Sequence, residues 1–283
     1  MKFKLNTLVA AVVLSATAMS ANAAIDSGLS GSNSEFIFSA WDVDAGIGYT
    51  YDLNWDKYLN DLVGIDQTIS ATGNTTLLAN ANVKSSLIDT NGIIFDQALT
   101  GFSSANFSSP TNVQWNLAAF DVAGRTRLLI TEGDSGVPLA SSTNQVRTAA
   151  AIISAYAPAS NDFIVTPADD TFAVTASTNG NAYAGNAGSG YDGNLADTTN
   201  LLGGSANLFL LAQHTNLTSQ GSFLSLNKQL LAFDGREIVA KTYLQDGEWR
   251  LQIAAVPEPE TYAMLLAGLG FVGAIARRRN KQA

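Results

Sequence analysis

The chain has 283 residues, of which 46 % are hydrophobic, 14 % are charged and none is cysteine. This composition predicts a globular protein, because a disordered chain lacks the apolar residues needed to build a core. The lack of cysteine excludes disulfides, a thiol nucleophile, Cys-ligated zinc and the lipid-bearing cysteine of a bacterial lipoprotein.

The charge is unevenly distributed. Six of the 15 basic residues lie near the two termini, whereas residues 24–256 contain nine basic and 22 acidic residues, a net charge of −13. Binding to nucleic acid depends on a basic patch, so we expect no nucleic-acid partner. An acidic surface suits solubility, a divalent cation or a neutral partner such as polysaccharide.

The chain begins like a secretory signal peptide. Two lysines precede an apolar stretch over residues 5–19, which is followed by Ala21-Asn22-Ala23. These are the charged, apolar and small-residue parts of a signal sequence with its A-x-A cleavage site. We predict that residues 1–23 are removed and that the mature chain starts at Ala24. The alternative is a retained N-terminal membrane anchor.

Residues 24–256 are predicted to form one exported, mainly β domain, antiparallel and sandwich-like, with one or two short helices. Three pairs of β-prone segments flank short turns, as in β-hairpins. The pairs are residues 35–43 with 48–53, residues 113–122 with 125–131, and residues 237–244 with 248–255. In the last segment apolar and polar residues alternate, as expected of a half-buried strand.

Two segments have helical patterns. After Asn54, apolar residues recur at the spacing of one helix face, which predicts a short amphipathic helix over residues 55–63. Residues 145–156 are rich in alanine, and we expect a helix there that ends before Pro158 and packs on a sheet. Residues 177–205 are rich in Gly, Asn, Ala and Thr and are predicted to form a long surface loop.

One segment has the sequence of a serine-protease nucleophile, Gly133-Asp134-Ser135-Gly136-Val137-Pro138. Proteases of the trypsin type place their histidine base before this serine, whereas His214, the only histidine, follows it. Position 137 is also not the glycine of the α/β-hydrolase motif G-x-S-x-G. We therefore interpret the segment as a turn.

Two further patterns are interpreted as chance. Gly188, Gly190 and Gly193 spell G-x-G-x-x-G, but the dinucleotide fingerprint needs a strand before it and a helix after it, and we expect loop on both sides. Asp169 and Asp170 are adjacent, so in a strand they would face opposite ways and would not make a glycosidase pair.

The segment Asp42-x-Asp44-x-Gly46 begins like an EF-hand calcium loop. Its sixth position is not glycine and its twelfth is not glutamate, so an EF-hand is excluded. Neighbouring carboxylates repel unless a cation or water screens them, so another calcium site stays open. The candidate ligands are Asp42, Asp44, Asp52 and Asp56, with Asp42 and Asp44 first. The alternative is a solvated acidic edge, and no other cofactor is expected.

The C-terminal sequence has three parts: Pro257-Glu258-Pro259, an uncharged run of 15 residues from Tyr262 to Ala276, and Arg277-Arg278-Arg279. The run is short for a membrane-spanning helix, which needs about 17–25 residues, so thinning of the bilayer or snorkelling of the arginines would be required. Arginines stay on the cytoplasmic side, which places residues 24–256 outside. The prolines prevent the helix from extending backwards and leave an accessible extended segment.

This tail, residues 257–283, resembles the PEP-CTERM sorting signal of Gram-negative bacteria. The resemblance implies transient retention in the inner membrane by the helix 262–276, and processing by exosortase, a membrane-embedded cysteine transpeptidase. It also implies a destination at the cell surface or in the extracellular matrix, in association with exopolysaccharide and biofilm. Residues 34–53 and 113–124 are also similar to exported domains of PEP-CTERM proteins of uncharacterised role. A plain tail anchor is the alternative.

The leading hypothesis is a non-enzymatic, exported surface or matrix protein. One alternative is an extracellular polysaccharide-acting enzyme, which would need two carboxylates about 5–10 Å apart across a cleft, near an aromatic platform. Another is a calcium-dependent adhesin or lectin, which calcium would stabilise. The tryptophans available for stacking on a sugar are Trp41, Trp55, Trp115 and Trp249.

Overall fold

The structure is a computed structural model, which describes residues 25, 35–53, 62, 83–102, 107–121, 127–139, 142–165, 171–212 and 227–256. Several predicted features lie outside these ranges: the signal peptide over residues 1–23, the sorting tail over residues 257–283, and, apart from Leu62, the helix over residues 55–63. The same holds for Trp55, Asp56, Asp169, Asp170 and His214.

The described fold is mainly antiparallel β-sheet, as predicted. The strands are β1 Ile37–Asp42, β2 Ile47–Asp52, β3 Ile93–Ala98, β4 Gln114–Asp121, β5 Arg127–Thr131, β6 Ile164–Val165, β7 Phe172–Ala176, β8 Asn200–Leu201, β9 Ser205–Ala212, β10 Asn227–Leu230, β11 Ala232–Phe233, β12 Arg236–Gln245 and β13 Glu248–Ala255. The helices are α1 Thr143–Asn161 and α2 Ala184–Leu195, and short 3₁₀ turns occur at Ser85–Leu87, Pro110–Asn112 and Ser177–Ala182.

All three predicted hairpins are confirmed. β1 pairs with β2, β4 with β5, and β12 with β13, each antiparallel. The turn between β12 and β13 consists of Asp246 and Gly247, whose φ angles are 53° and 85°. Two residues with positive φ give the turn a twist that matches the twist of the flanking strands.

The described strands form one continuous sheet, in the order β3-β13-β12-β9-β5-β4-β1-β2-β7-β6. The long strand β9 joins the two halves, because residues 205–207 pair with β12 and residues 208–212 pair with β5. A sandwich has two sheets, so the structure confirms the antiparallel, mainly β part of the prediction but not its sandwich-like part. The sheet curves until distant strands meet, and the Tyr49 hydroxyl of β2 donates to the Thr100 carbonyl beyond β3 at 2.6 Å.

The sheet buries apolar side chains on both faces. Its inner, curved face encloses a large core that includes Phe38, Trp115 and Leu251. The opposite face carries a second core, which includes Trp41 and Phe120 and is covered by α1 and α2. Neighbouring residues of a strand point to opposite faces, so a strand covered on both sides is buried along its whole length. This explains why all six residues of β1 are buried.

Helix α1 confirms the helix predicted over residues 145–156 and its packing on the sheet. The predicted end is wrong, because α1 continues through Pro158 to Asn161. A capping box between Ser142 and Gln145 begins the helix. Proline removes one main-chain hydrogen bond, and in the last turn the buried side chains around it hold the helical path against that loss.

The surface loop predicted over residues 177–205 is wrong. Most of this segment is helical, and one face of α2 is buried against α1 and the sheet. Small residues permit the close approach: a Cβ placed on Gly188 would lie 2.3 Å from the ring of Trp41. The glycine motif thus lies inside a helix instead of between a strand and a helix, so it still lacks the setting of a dinucleotide site.

Candidate functional site

The predicted sorting tail begins where the sheet ends. β13 lies between β12 and β3, and its last residue, Ala255, donates from its N–H to the Gly92 carbonyl at 2.8 Å. The N–H of Val256 still donates to the Glu237 carbonyl at 2.8 Å. Pro257 follows immediately, so no spacer separates the fold from the motif.

The predicted processing residues themselves lie outside the described part of the chain. They are Ala21, Ala23 and Ala24 at the start, and Pro257, Glu258, Pro259, Arg277, Arg278 and Arg279 at the end. Among the residues that the structure describes, no helix is long and apolar enough to cross a membrane.

Asp42, the first candidate calcium ligand, is buried at the end of β1. One carboxylate oxygen accepts from the N–H groups of Asp44 and Ala45, at 2.9 and 3.1 Å. The other accepts from the N–H of Ser108 at 2.7 Å and from its hydroxyl. Burial raises the pKa of Asp42, but these hydrogen bonds outweigh it and hold the pKa below its ordinary value of 3.8.

Asp44, the second candidate, is exposed and accepts from the side-chain amide of Asn112 at 3.1 Å. In the described ranges, no three His, Cys, Asp or Glu side chains lie close enough together to hold a metal ion. Asp42 and Asp44 therefore fix the turn between β1 and β2 by their own hydrogen bonds. A calcium site that includes Asp56 stays a prediction.

Sequence reasoning missed a polar cluster on the outward face of β3, β12 and β13, which we call the polar strand face: Asp96, Lys241, Tyr243, Arg250 and Gln252. The Asp96 carboxylate accepts from the Tyr243 hydroxyl at 2.8 and 2.9 Å, from Arg250 Nε at 3.0 Å and from Gln252 Nε2 at 2.6 Å. The alternation in β13 placed Arg250 and Gln252 outward, but no motif marked their acceptor on β3.

The neighbours of Asp96 stabilise its ionised carboxylate. Burial raises the pKa of Asp96, but hydrogen bonds from Tyr243, Gln252 and Arg250, together with the charge of Arg250, outweigh it and lower the pKa below 3.8. Such a carboxylate is ionised at neutral pH and has no proton to give. It therefore orders the surface around it and is unsuited to be a general acid.

The polar strand face is open to solvent and continues sideways across the sheet. The Lys241 ammonium lies 5.1 Å from the centre of the Tyr243 ring. Beyond Lys241, a shallow groove of about 290 Å³ runs over Ser205 and Asn207 to Glu132. Donors, acceptors and an aromatic ring thus follow one another along an exposed surface.

A second polar group is buried between the sheet and α1. The Tyr156 hydroxyl lies 3.0 Å from the Ser39 hydroxyl and 2.5 Å from the Thr50 hydroxyl. Burial raises the pKa of Tyr156 to about 12, although hydrogen bonds from its neighbours oppose this. Asn116, which pairs with Ser39 across the strands, has a buried amide without a hydrogen-bond partner in the described residues. An ordered water normally satisfies such an amide.

The protease-like segment forms a turn after β5, as interpreted. The N–H of Ser135 donates to a carboxylate oxygen of Asp197 at 2.8 Å, and the Ser135 hydroxyl donates to the same oxygen. The serine therefore ties the turn to the segment after α2. Nothing in this arrangement requires a nucleophile.

The tryptophans that the structure describes belong to the two cores. Trp41 and Trp115 are buried, and Trp249 is half-buried against the inner core. Trp41 and Trp115 therefore have no ring face free for a sugar. The polar strand face contains an aromatic ring of its own, that of Tyr243, which sequence reasoning did not select.

One family model matches the chain. It is described as the PEP-CTERM protein-sorting motif, and it covers residues 255–280. No curated protein and no solved structure matches the chain. The match starts at the last residue of β13 and includes the Pro-Glu-Pro segment, the apolar run and the arginines. The chain therefore carries a PEP-CTERM sorting domain, which marks it as an exported protein targeted for processing by an exosortase.

Proposed function

We propose that residues 24–256 act as a non-enzymatic surface or extracellular-matrix protein associated with exopolysaccharide. The chain is exported, held at the inner membrane by residues 262–276, and processed between Pro257 and Thr261. The observation that carries this proposal is the position of the sorting domain directly after the last strand. Cleavage in that segment leaves every strand pair of the described fold on the released side.

The state of the buried carboxylates supports a role without catalysis. A polysaccharide hydrolase needs a carboxylic acid whose pKa is raised, so that it carries a proton at working pH. The pKa values of Asp42 and Asp96 are lowered instead. Asp192 and Asp197 also accept hydrogen bonds from neighbouring threonine and serine hydroxyls. These carboxylates act as structural acceptors.

The polar strand face supports the association with polysaccharide. Sugars bind through many hydroxyl groups, which pair with side-chain donors and acceptors, and through ring faces, which stack on aromatic residues. The polar strand face offers Lys241, Tyr243 and Gln252 on an open surface, beside a groove that ends at Glu132. An open face of this kind fits an extended polymer better than a small molecule.

The processing step is tested by replacing Pro257, Glu258 and Pro259 with alanine. We expect this variant to stay in the inner-membrane fraction at full length, whereas the wild-type chain is shortened and released. The matched control replaces Pro110, Thr111 and Asn112, an exposed three-residue segment that also contains a proline, and it should be processed normally. Normal release of the first variant would overturn recognition of the motif.

Polysaccharide association is tested with purified residues 24–256 and the exopolysaccharide of the producing bacterium. We expect the domain to sediment with the polymer. The double variant Lys241→Ala, Gln252→Ala should sediment at least about tenfold less, corresponding to roughly 1.4 kcal/mol. The matched control is Leu244→Ala, which alters an exposed residue of the same strand that points to the opposite face of the sheet. Equal sedimentation of the two variants would contradict a role for this face.

A further inference from the structure

Three features meet at one end of the sheet, which we call the tether end: the end of β13 at Val256, the turn over residues 89–92, and the turn Asp234-Gly235. The Gly92 carbonyl accepts from Ala255, and the Glu237 carbonyl accepts from Val256. The other end of the same hairpin is the turn Asp246-Gly247. The sheet thus has a tether end and a far end, separated by the length of β12 and β13.

The chain between the sheet and the apolar run is short. Only five residues, 257–261, separate Val256 from Tyr262. Six Cα–Cα steps span at most about 21 Å even when fully extended. While residues 262–276 lie in the bilayer, Val256 therefore stays within this distance of the first residue of the apolar run.

This reach excludes one orientation of the domain. The nine residue steps from Gly247 to Val256 run along β13 and cover about 30 Å. With the far end on the bilayer, Val256 would be held about 30 Å above it, which is more than the 21 Å that the connecting residues can bridge. An upright domain therefore stands on the bilayer with its tether end, and not its far end, toward the lipid.

The described side chains of the tether end form no basic patch for lipid. Asp89, Asp234 and Glu237 are exposed there, beside exposed Lys84 and half-buried Arg236. An anionic bilayer attracts clusters of basic residues and repels carboxylates. The covalent connection to residues 262–276 keeps this end at the membrane, and no basic cluster of the described residues adds to it.

We propose that, before processing, the turns 89–92 and 234–235 face the lipid bilayer and that the turn 246–247 points away from it. This inference rests on the proposed membrane retention by residues 262–276. It means that the processing enzyme meets its target directly under the folded domain. It also leaves the far end pointing away from the lipid surface and the polar strand face turned to the side, where a polymer can reach both.

The test uses two cysteine variants of the full chain, Asp234→Cys and Asp246→Cys. The chain has no other cysteine, so each variant carries one labelling site. The two positions are matched: each is an exposed aspartate with positive φ, at 50° and 53°, followed by a glycine with positive φ. Any cost of placing cysteine there is the same for both, and thermal unfolding checks that both fold.

Each variant is produced in a host without exosortase, reconstituted into phosphatidylcholine vesicles and labelled with a membrane-impermeant dye. Energy transfer is then measured to acceptors on the lipid headgroups. The strand β12, which is about 30 Å long, separates the two sites, so we expect transfer from position 234 to be at least about twofold higher. The difference should persist at high salt, because the connection is covalent. If either variant fails to fold, Asn91→Cys and Glu248→Cys replace the pair.

Equal transfer from both sites, or stronger transfer from position 246, would overturn the proposed orientation. The control inserts twelve Gly and Ser residues between Val256 and Pro257, which adds up to about 40 Å of reach and should abolish the difference. Flotation with the vesicles separates the two proposals. A chain that does not float overturns membrane retention and this inference together, whereas a chain that floats with equal transfer overturns the orientation alone.

Discussion

Single side chains hold the surface of this domain in place. Asp96 shows this most clearly, because one carboxylate on β3 fixes Tyr243 of β12 and two residues of β13. Removing such an acceptor leaves several donors without a partner in a half-buried place. The polar strand face therefore depends on Asp96 for its shape.

Replacing Asp96 with asparagine should lower the free energy of unfolding at pH 7 by roughly 1–3 kcal/mol. The folded pKa of Asp96 lies below the unfolded value, so its charge stabilises the fold above pH 4 or so, and this contribution is lost as the pH falls through the folded pKa. The difference between wild type and variant should therefore shrink in acid. Urea unfolding at several pH values measures it. Asp246→Asn, at an exposed turn that accommodates asparagine, is the control, and a difference independent of pH would contradict the assignment.

Tyr156 should make stability depend on pH in the alkaline range, because its pKa is raised in the fold and not lowered as that of Asp96 is. Its folded pKa is raised to about 12, whereas an unfolded tyrosine ionises near 10. The contribution of Tyr156 to the free energy of unfolding is therefore fully present below pH 10. Between pH 10 and 12 the free energy of unfolding falls by about 1.4 kcal/mol per pH unit for each tyrosine shifted in this way. Tyr156→Phe should lower stability by about 1 kcal/mol at pH 7 and reduce this alkaline loss.

The control for Tyr156 is Thr50→Val, which removes one of the hydrogen bonds of the Tyr156 hydroxyl but leaves this titrating hydroxyl in place. Both variants should be less stable at neutral pH, and only Tyr156→Phe should change the slope above pH 10. Urea unfolding at pH 7, 10 and 11 measures both effects. The same slope for both variants would show that Tyr156 does not ionise on unfolding in this range.

At the level of elements, hairpins could be predicted from the sequence and α2 could not. Each hairpin has its signal within about 20 residues, because β-prone segments flank turn residues such as Asp246-Gly247. Helix α2 is rich in Gly, Asn, Ser and Asp, whose low helix preference favours a loop. Its stability comes from tertiary contacts, since Gly188 fits against Trp41 from a distant strand. A local sequence pattern cannot predict a contact between residues that are so far apart in the chain.

The same limit applies to the polar strand face. Asp96 lies in a segment without a motif and meets its partners only because β3 pairs with β13, more than 150 residues later in the chain. The alternation in β13 showed that Arg250 and Gln252 share a face, but not what they bind. Local patterns thus predict the strands, but only the pairing of distant strands brings the residues of the polar strand face together.

Two glycines of α2 test whether this segment is a packed helix. A Cβ on Gly188 would lie 2.3 Å from the Trp41 ring, whereas a Cβ on Gly193 meets nothing within 4 Å. Gly188→Ala should therefore lower stability by roughly 1–3 kcal/mol through overpacking. Gly193→Ala should raise it by about 0.5–1 kcal/mol, because alanine restricts the unfolded chain and favours a helix. Urea unfolding gives both values, and effects of the same sign would contradict the packing.

At the level of the whole molecule, the described fold and the sorting signal follow each other along the chain without a spacer. β13 is an interior strand, hydrogen-bonded to β12 on one side and β3 on the other. It contributes Leu251 and Ile253 to the inner core. The next residues after Val256 belong to the sorting domain. The described fold therefore ends directly before the Pro-Glu-Pro segment.

A series of C-terminal truncations tests this boundary. A chain that ends at Val256 keeps every strand pair of the described fold, so it should be soluble and unfold at the same temperature as the processed protein. A chain that ends at Gly247 lacks β13, which leaves β12 and β3 without their shared partner and opens the inner core. We expect this shorter chain not to fold, because the loss of a central strand removes several buried side chains, each stabilising by roughly 1.5–3 kcal/mol. Thermal unfolding and limited proteolysis distinguish the two. A large drop in unfolding temperature for the chain ending at Val256 would show that the sorting domain is part of the fold and not only a sorting signal.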